Sequence, residues 1–455
     1  MSAWRQIASR GLTAAAAQPM FTDAFVTDEV DGNGSLAAAR GPPAPVGSHA
    51  PATCERVLVV GAGLTGCLAA HFLRRQRPDV EIHVWERATY PAGRFGAATR
   101  HGGVVSDLGA QVLSTVSPND ERARPGHGIT RASAVAADEL VMSLLTDGLL
   151  VPAPDGALCE TEERMVWEGL WRHFWAPGGM DSVLTKILSM SSPISLTFGL
   201  RVDSLSFTPG SAKVKVCGVR RTFSEECDGG RNKTVTDEEF VTDEEFDRVI
   251  VCVPAPDAVA ITGLAKILPA EHRRVLGGVR YDSRWAAAHY FGPELRQRAD
   301  EKFGRCAEIN VDDEGSAVHF LAFQNMKQKT AEKKNGVDRA VAIVAHGVAG
   351  GEALPAEAIH RSLGRLLGME EADVKALSIG GEKVVNWKVA QMVLPMEAIV
   401  NEPPQDPPWT ILSEAGPRPR VVIAGDFMTQ SSFLGCVASA SSAALAISEE
   451  MKNSD

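Results

Sequence analysis

The sequence lacks the marks of three common protein classes. No uninterrupted apolar run approaches the ~20 residues that a membrane-spanning helix needs, so no stable membrane insertion is expected. The formal net charge is −11 and no basic stripe is present, which argues against a nucleic-acid partner. The eight cysteines are scattered and form no CxxC pair, which predicts reduced thiols rather than a disulfide framework or a metal site. An anionic ligand must therefore be held by local donors.

The first 55 residues have the composition of an extension rather than a folded core. They are rich in Ala, Gly, Pro and Ser, and Arg5 and Arg10 occur with no acid before Met20. This predicts either a disordered segment or an organelle-targeting segment. The remaining chain is long enough for two domains.

A strand, a helix and a second strand follow within about 30 residues, the size of a βαβ unit. Arg56–Val60 is a β-branched run that predicts a buried parallel strand. Leu64–Arg75 has helical apolar spacing, and Glu81–Trp85 predicts the next strand.

The turn between the first strand and the helix is Gly61-Ala-Gly-Leu-Thr-Gly66, a GxGxxG motif. Gly61 permits the tight turn, Gly63 lets the backbone approach a pyrophosphate, and Gly66 lets the helix pack on the sheet. The helix N-terminus favours the anionic phosphates. Glu86, 20 residues beyond Gly66 at the end of the next strand, is predicted to accept hydrogen bonds from ribose hydroxyls.

Further strands of this type recur in the middle and at the end of the chain, which predicts a discontinuous cofactor domain with a second domain inserted in two pieces. The predicted cofactor domain comprises residues 56–112, 176–257 and 415–455, and the substrate domain comprises 113–175 and 258–414. Residues 217–246 are acidic and contain the tandem repeat VTDEEF-VTDEEF. They are predicted to form an expanded surface loop within a hairpin.

Several motifs resemble the flavin amine oxidase superfamily and, within it, the renalase family. Ala92-Gly93-Arg94 resembles the superfamily's second signature, although Ala92 replaces the first glycine of its pair. The segments similar to the renalase family, in the same order along the chain, are residues 57–66, 107–111, 175–180, 281–286, 386–388 with Gln391, and 425–436.

The resemblance implies an α/β fold with a Rossmann-type FAD-binding domain and an inserted α+β substrate domain, of the amine-oxidase or p-hydroxybenzoate-hydroxylase type. It implies non-covalent FAD and an Asp426 that contacts the ribityl chain. The other implied cofactor-binding positions are Thr65, Arg94, Gln111, Val112 and Phe433.

The resemblance also implies an activity: oxidation of isomeric 1,2- and 1,6-dihydro-NAD(P) to NAD(P)+ by hydride transfer to FAD, which oxygen reoxidises with formation of hydrogen peroxide. The candidate residues on the substrate side are Arg284, His346, Trp387 and Gln391. Lys388 stands where family members can carry arginine, and a lysine loses bidentate geometry.

Two alternatives stay open: a flavin amine oxidase or desaturase-like enzyme, and a flavin-binding signalling protein with vestigial catalysis. The chain has only three tyrosines, none in its C-terminal third, which argues against the aromatic frame of an amine oxidase. A cytoplasmic monomer or weak dimer is predicted, with an organelle or secretion as alternative locations.

Overall fold

The structure is a computed structural model. It describes residues 54–91, 93–101, 103–118, 129–155, 157–159, 171–208, 213–220, 222–223, 235–236, 241–304, 306–311, 315–328, 340–394, 411–412 and 420–452. The predicted N-terminal extension lies outside these residues. None of the helices in these ranges is long and apolar enough to cross a membrane.

One part of the fold is centred on a six-stranded sheet. Its strands are, in spatial order, Ile411–Leu412, Val421–Ile423, Arg248–Val251, Arg56–Val60, Glu81–Glu86 and Ser195–Phe198. All neighbours are parallel except the first pair. The β-branched runs suit this position because a parallel sheet is covered on both faces. The predicted βαβ unit and the α/β fold class are confirmed.

One face of this parallel sheet is covered by four helices: Leu64–Gln76, Arg131–Thr146, Met180–Met190 and Phe433–Lys452. The other face carries a three-stranded antiparallel sheet and three short helices. Those elements are Leu200–Phe207, Val214–Arg220, Val241–Phe246, Ala255–Ala260, Leu264–Ile267 and Ala270–Gly278. Apolar side chains fill both interfaces, and their burial stabilises this half of the molecule.

A second six-stranded sheet, largely antiparallel, lies in the other half of the fold. Its strands are, in spatial order, Lys383–Trp387, Arg284–Phe291, Val341–Gly347, Val318–Phe323, Glu308–Asn310 and Leu158–Cys159. One face packs on the helix Ala356–Leu367, and the other packs on Ala97, Val104 and Leu108. The face opposite the helix Ala356–Leu367 therefore packs against the segments that follow the βαβ unit in sequence.

Shorter elements complete the described part of the fold. The remaining strands are Ala98–His101 with Val104–Asp107, Leu113–Val116 with Trp171–Trp175 and Val151–Pro152, Arg280–Tyr281 with Met392–Leu394, and Thr222–Phe223 with Val235–Thr236. The remaining helices are Gly93–Gly96, Glu294–Phe303, Gln324–Lys327, Glu371–Ala376 and the 3-10 helix Asp426–Met428.

The acidic segment is partly strand rather than loop. The second copy of the repeat, Val241–Phe246, pairs with Val214–Arg220, and the Phe246 side chain is fully buried. The first copy lies in the connection, where Val235–Thr236 pairs with Thr222–Phe223. The connection between the two hairpin strands thus spans residues 221–240. The two ends of the predicted loop, residues 217–220 and 241–246, belong to the hairpin strands.

The cysteines only partly match the prediction of reduced thiols. It is confirmed for five free cysteines: Cys54, Cys67, Cys217, Cys252 and Cys436. It is wrong for Cys306, which is disulfide-bonded. A fold can bring two cysteines from distant segments close enough to form a disulfide bond, and their spacing in the sequence does not indicate this.

Candidate functional site

The GxGxxG turn has the backbone conformation that its glycines predict. Gly61 has a φ of +96° and donates its N–H to the carbonyl of Trp85, 2.8 Å away. A Cβ on Gly66 would lie 1.9 Å from the carbonyl oxygen of Gly61, so only glycine allows the helix to approach the turn. These two glycines therefore serve the fold itself.

Gly63 differs from its neighbours because a Cβ there would meet no atom of the described residues within 4 Å. It precedes the helix Leu64–Gln76, whose first turn has no side-chain cap and no acid. A Cβ on Gly93, which has a φ of +57°, would lie 3.3 Å from the Cα of Gly63. The helix N-terminus thus opens into space bordered by two glycines, an arrangement suited to phosphate oxygens.

Glu86 is held at the end of the second strand by two backbone donors. Its Oε2 accepts from the N–H of Ala62 at 2.6 Å, and its Oε1 accepts from that of Ala88 at 2.8 Å. The side chain is buried beside the glycine turn. The structure thus places the predicted ribose acceptor next to the predicted phosphate cradle.

Arg94 and Asp426, predicted as separate flavin contacts, form a bidentate salt bridge. Both N···O distances are 2.8 Å, and the Asp426 carboxylate also accepts from the hydroxyls of Tyr281 and Ser431. The Arg94 guanidinium lies over the Tyr281 ring, 5.2 Å from its centroid. This network ties the second signature to the C-terminal motif.

Burial and charge together determine the protonation states in this network. Burial opposes ionisation of Asp426, but the Arg94 charge and its hydrogen bonds outweigh it and keep the pKa below its usual value. Burial, reinforced by the Asp426 charge, raises the pKa of Tyr281, so the phenol stays protonated. Asp426 is therefore an ionised acceptor within a fixed set of donors.

Cys436 lies close to the same network, and its thiol is buried and protonated. Burial, followed by the nearby Asp426 charge, raises its pKa to about 12, against an opposing hydrogen bond with Thr65. Burial likewise raises the pKa of Cys67 and Cys252. All three thiols are therefore buried and protonated at neutral pH.

Gln111 lies at the centre of a second buried polar network. Its Oε1 accepts from the Nε2 of Gln324 and from the Nζ of Lys327, both at 2.8 Å, and its amide donates to the carbonyl of Asp107. Lys327 also forms a salt bridge with Glu308, 2.9 Å long, in which both side chains are almost completely buried. The network thus fixes Gln111 against residues of the second sheet and of the short helix Gln324–Lys327 that follows one of its strands.

Asp107 adjoins this network, and its carboxyl group has an unusually high pKa. Burial is the main cause that raises its pKa to about 7, and the Lys327 charge and the N–H of Met180 oppose the rise only in part. Buried carboxyls with such values are common at functional sites but also occur in structural networks.

Three of the predicted substrate-side residues lie close together on neighbouring strands of the second sheet. Arg284 pairs in register with Trp387, and Ala286, two residues on, pairs with His346. Trp387 donates its Nε1–H to the carbonyl of Leu108 at 3.1 Å, and Arg284 donates Nε–H to Asp282 at 2.9 Å. The cluster thus touches the segment that carries Gln111.

His346 is a neutral imidazole at neutral pH. Burial, with the charges of Arg284 and Lys327, lowers its pKa to about 4. Its Nε2 is buried without a hydrogen-bond partner among the described residues. Because its pKa is near 4, His346 is unsuited to act as a proton donor at pH 7.

The other predicted positions lie nearby in different environments. Thr65 and Phe433 are buried, Phe433 within the core beneath the parallel sheet, and Val112 packs against the second sheet. Gln391 is exposed and is anchored by its backbone to Asp282. Tyr281, Gln324 and Lys327 were not predicted; Tyr281 lies in a segment similar to the renalase family, whereas nothing in the polar sequence around Lys327 signals its burial.

The parallel sheet, the glycine turn and the second, largely antiparallel sheet define the class: a protein with a Rossmann-like dinucleotide-binding fold. A family model for the NAD(P)-binding Rossmann-like domain matches residues 59–124. A solved structure described as a protoporphyrinogen oxidase from Exiguobacterium sp. 255-15 has the same fold, with a TM-score of 0.51 and 13% identity, over 87% of this chain and 99% of that one.

The more specific relative is renalase. The chain is 24% identical to the Mus musculus protein over 403 residues, which cover 85% of this chain and 96% of the mouse protein. The predicted resemblance is confirmed. A coproporphyrinogen III oxidase from Staphylococcus aureus is 30% identical over 71 residues, only 14% of this chain and 15% of that protein.

Proposed function

We propose that the chain is a renalase-like flavoprotein oxidase that oxidises isomeric dihydro-NAD(P) to NAD(P)+ and uses oxygen as electron acceptor. The observation that carries the proposal is the open phosphate cradle at Gly63 and Gly93, next to the fixed carboxylate of Glu86. Similarity to renalase over nearly its whole length supports the choice of reaction.

The residues at the cradle fit FAD. The helix N-terminus that begins after Gly63 would donate backbone N–H groups to the pyrophosphate, where the helix dipole favours negative charge. Glu86 would accept from the adenosine ribose hydroxyls. The Arg94–Asp426 pair would present polar atoms to the remaining part of the cofactor, and FAD when bound would accept a hydride and pass electrons to oxygen.

The chain's own contribution to catalysis would be positioning and electrostatics. Arg284 places a positive charge at the end of its strand in a chain of net charge −11, and Asp282 holds its orientation. Such a charge suits the phosphates of a dinucleotide substrate. Hydride transfer from a dihydronicotinamide requires no proton removal by the protein, which agrees with the low pKa of His346.

The aromatic residues near the C-terminal motif argue against ordinary amine oxidation. Phe427 is fully buried and Phe433 nearly so, both within hydrophobic cores. Tyr281 is engaged with Asp426 and Arg94. Among the described residues, these three rings therefore do not form a cage that an amine could enter.

The proposal is tested with purified protein under anaerobic conditions. We expect a flavin absorption spectrum that bleaches on addition of 1,2- or 1,6-dihydro-NAD(P), and hydrogen peroxide on readmission of air. Ordinary 1,4-NADH and a panel of amines serve as comparison substrates. Bleaching by amines alone would replace the proposal with an amine oxidase, and bound flavin without any turnover would favour a signalling protein.

A further inference from the structure

A cluster of two histidines and one glutamate lies on the far face of the second sheet, away from Arg284 and Trp387. His289 belongs to the strand Arg284–Phe291, His360 to the helix Ala356–Leu367, and Glu382 immediately precedes the edge strand Lys383–Trp387. One potential ligand atom from each residue lies within 4.8 Å of the other two.

Local structure brings these three side chains together. Ala288 pairs with Lys383, so continuation of that antiparallel register sets His289 beside Glu382. The neighbours Ala287 and Phe291 pack against the helix residues Ile359 and Leu363, which places alternate residues of the strand, including His289, on the helix side. The rings of His289 and His360 meet edge-on, with centroids 5.9 Å apart.

Both imidazoles are buried. His289 is 1% exposed and His360 4%, and within the part of the chain that the structure describes none of their four ring nitrogens makes an aligned hydrogen bond. Nδ1 of His289 lies 3.2 Å from Oε1 of Glu382 but without hydrogen-bond alignment. Leaving such groups unsatisfied costs about 1–3 kcal/mol each, so a partner for them is expected.

We propose that His289, His360 and Glu382 form a binding site for a divalent transition-metal ion of the zinc type. Two imidazole nitrogens and a carboxylate are a common zinc ligand set, with water in the fourth position. The Glu382 side chain is 41% exposed, so an ion can reach the site from solvent.

The geometry needs only a small adjustment to hold the ion. With metal–ligand distances of about 2.0–2.1 Å, ligand atoms in a tetrahedral site lie about 3.3–3.4 Å apart. The longest separation, at most 4.8 Å, must therefore shorten by up to about 1.4 Å, within the range of side-chain rotation.

The test uses the tag-free full-length protein, stripped with EDTA and kept in a phosphine reductant. Zinc content after gel filtration is measured by mass spectrometry, and affinity by calorimetry. We expect one zinc per chain, a higher melting temperature with zinc, and at least a tenfold rise in Kd for Glu382→Gln. Glu352→Gln, at an exposed acid outside the cluster, is the matched control and should retain the wild-type Kd.

Comparison of the two variants separates this site from zinc bound by partly exposed thiols such as Cys54 and Cys217. Equal zinc affinity in the wild type and Glu382→Gln would overturn the proposal, as would less than stoichiometric zinc in the wild type. Because Glu382 lies at the surface, its variant is expected to fold, and a melting curve in EDTA verifies this. The outcome does not depend on flavin or on turnover.

Discussion

Replacing Gly63 by alanine should separate cofactor binding from folding. Gly63 has φ −72° and ψ −178°, a conformation that alanine adopts without strain, and its new methyl group would touch no atom within 4 Å among the residues that the structure describes. Yet the methyl would occupy the space where a pyrophosphate must approach the helix N-terminus. The substitution should therefore leave the apoprotein folded and block the cofactor.

The Gly63→Ala substitution should stabilise the folded apoprotein but weaken its binding of flavin. Gly→Ala at a compatible position stabilises a protein by about 0.4–1 kcal/mol, because alanine restricts the unfolded chain. Flavin affinity should fall at least about tenfold, a loss of about 1.4 kcal/mol or more. By contrast, Gly66→Ala would place Cβ 1.9 Å from the carbonyl oxygen of Gly61 and should unfold the domain.

The assay measures melting of the apoprotein and its Kd for FAD, from quenching of flavin fluorescence. Gly277→Ala is the matched control, since its Cβ would also meet no described atom within 4 Å and it lies in a helix away from the turn. It should gain stability without any change in Kd. An unchanged Kd in folded Gly63→Ala would refute the placement of the pyrophosphate.

Three further substitutions test the polar networks. Arg94→Ala leaves Asp426 buried without its ion partner and should cost about 3–5 kcal/mol in the free energy of unfolding, measured by chemical denaturation. Asp107→Asn should remove a pH dependence of the free energy of unfolding. Because the folded-state pKa of Asp107 is near 7, its carboxyl group contributes stability that is present below about pH 4. This stability is lost as the pH rises to about 7, at up to about 1.4 kcal/mol per pH unit. Arg284→Gln, in steady-state assays under the proposed function, should raise KM for dihydronicotinamide dinucleotides at least about tenfold through loss of a charged hydrogen bond, with kcat little changed.

Each of these expectations can fail clearly. Arg94→Lys keeps the charge but loses the second hydrogen bond, so equal stability of the Lys and Ala variants would show that the ion pair contributes nothing. Parallel stability–pH curves for wild type and Asp107→Asn would contradict the raised pKa. A fall in kcat at constant KM would place Arg284 at the reacting atoms instead of the phosphates.

The parts of the fold that depend on local sequence could be predicted. The strands Arg56–Val60 and Glu81–Glu86 and the helix between them follow from apolar spacing and three glycines, and the structure matches the predicted bounds to within one residue. The strand at the end of the chain, Val421–Ile423 in the structure, was also predicted, since it is a short apolar run with a clear boundary. Such signals lie within a few residues of the element they specify.

Contacts between distant segments could not be predicted from the residues alone. Arg94 and Asp426 are 332 residues apart, and resemblance marked both positions without revealing that they bind each other. Lys327 lies in a polar stretch typical of a surface, yet it is 3% exposed because Glu308 and Gln111 supply its partners. The division into domains at residues 112, 175, 257 and 414 stays a prediction.

The duplicated VTDEEF sequence has a geometric consequence for the hairpin that contains it. Side chains alternate between the faces of a strand with a period of two, and the repeat is six residues long, an even number. Sliding the chain by one whole copy would thus bring Phe240 to the place of Phe246 with every side chain on its original face. An insertion of this length extends the connection while leaving an equivalent partner for Val214–Arg220, whereas an insertion of five or seven residues would turn the apolar side chains outward.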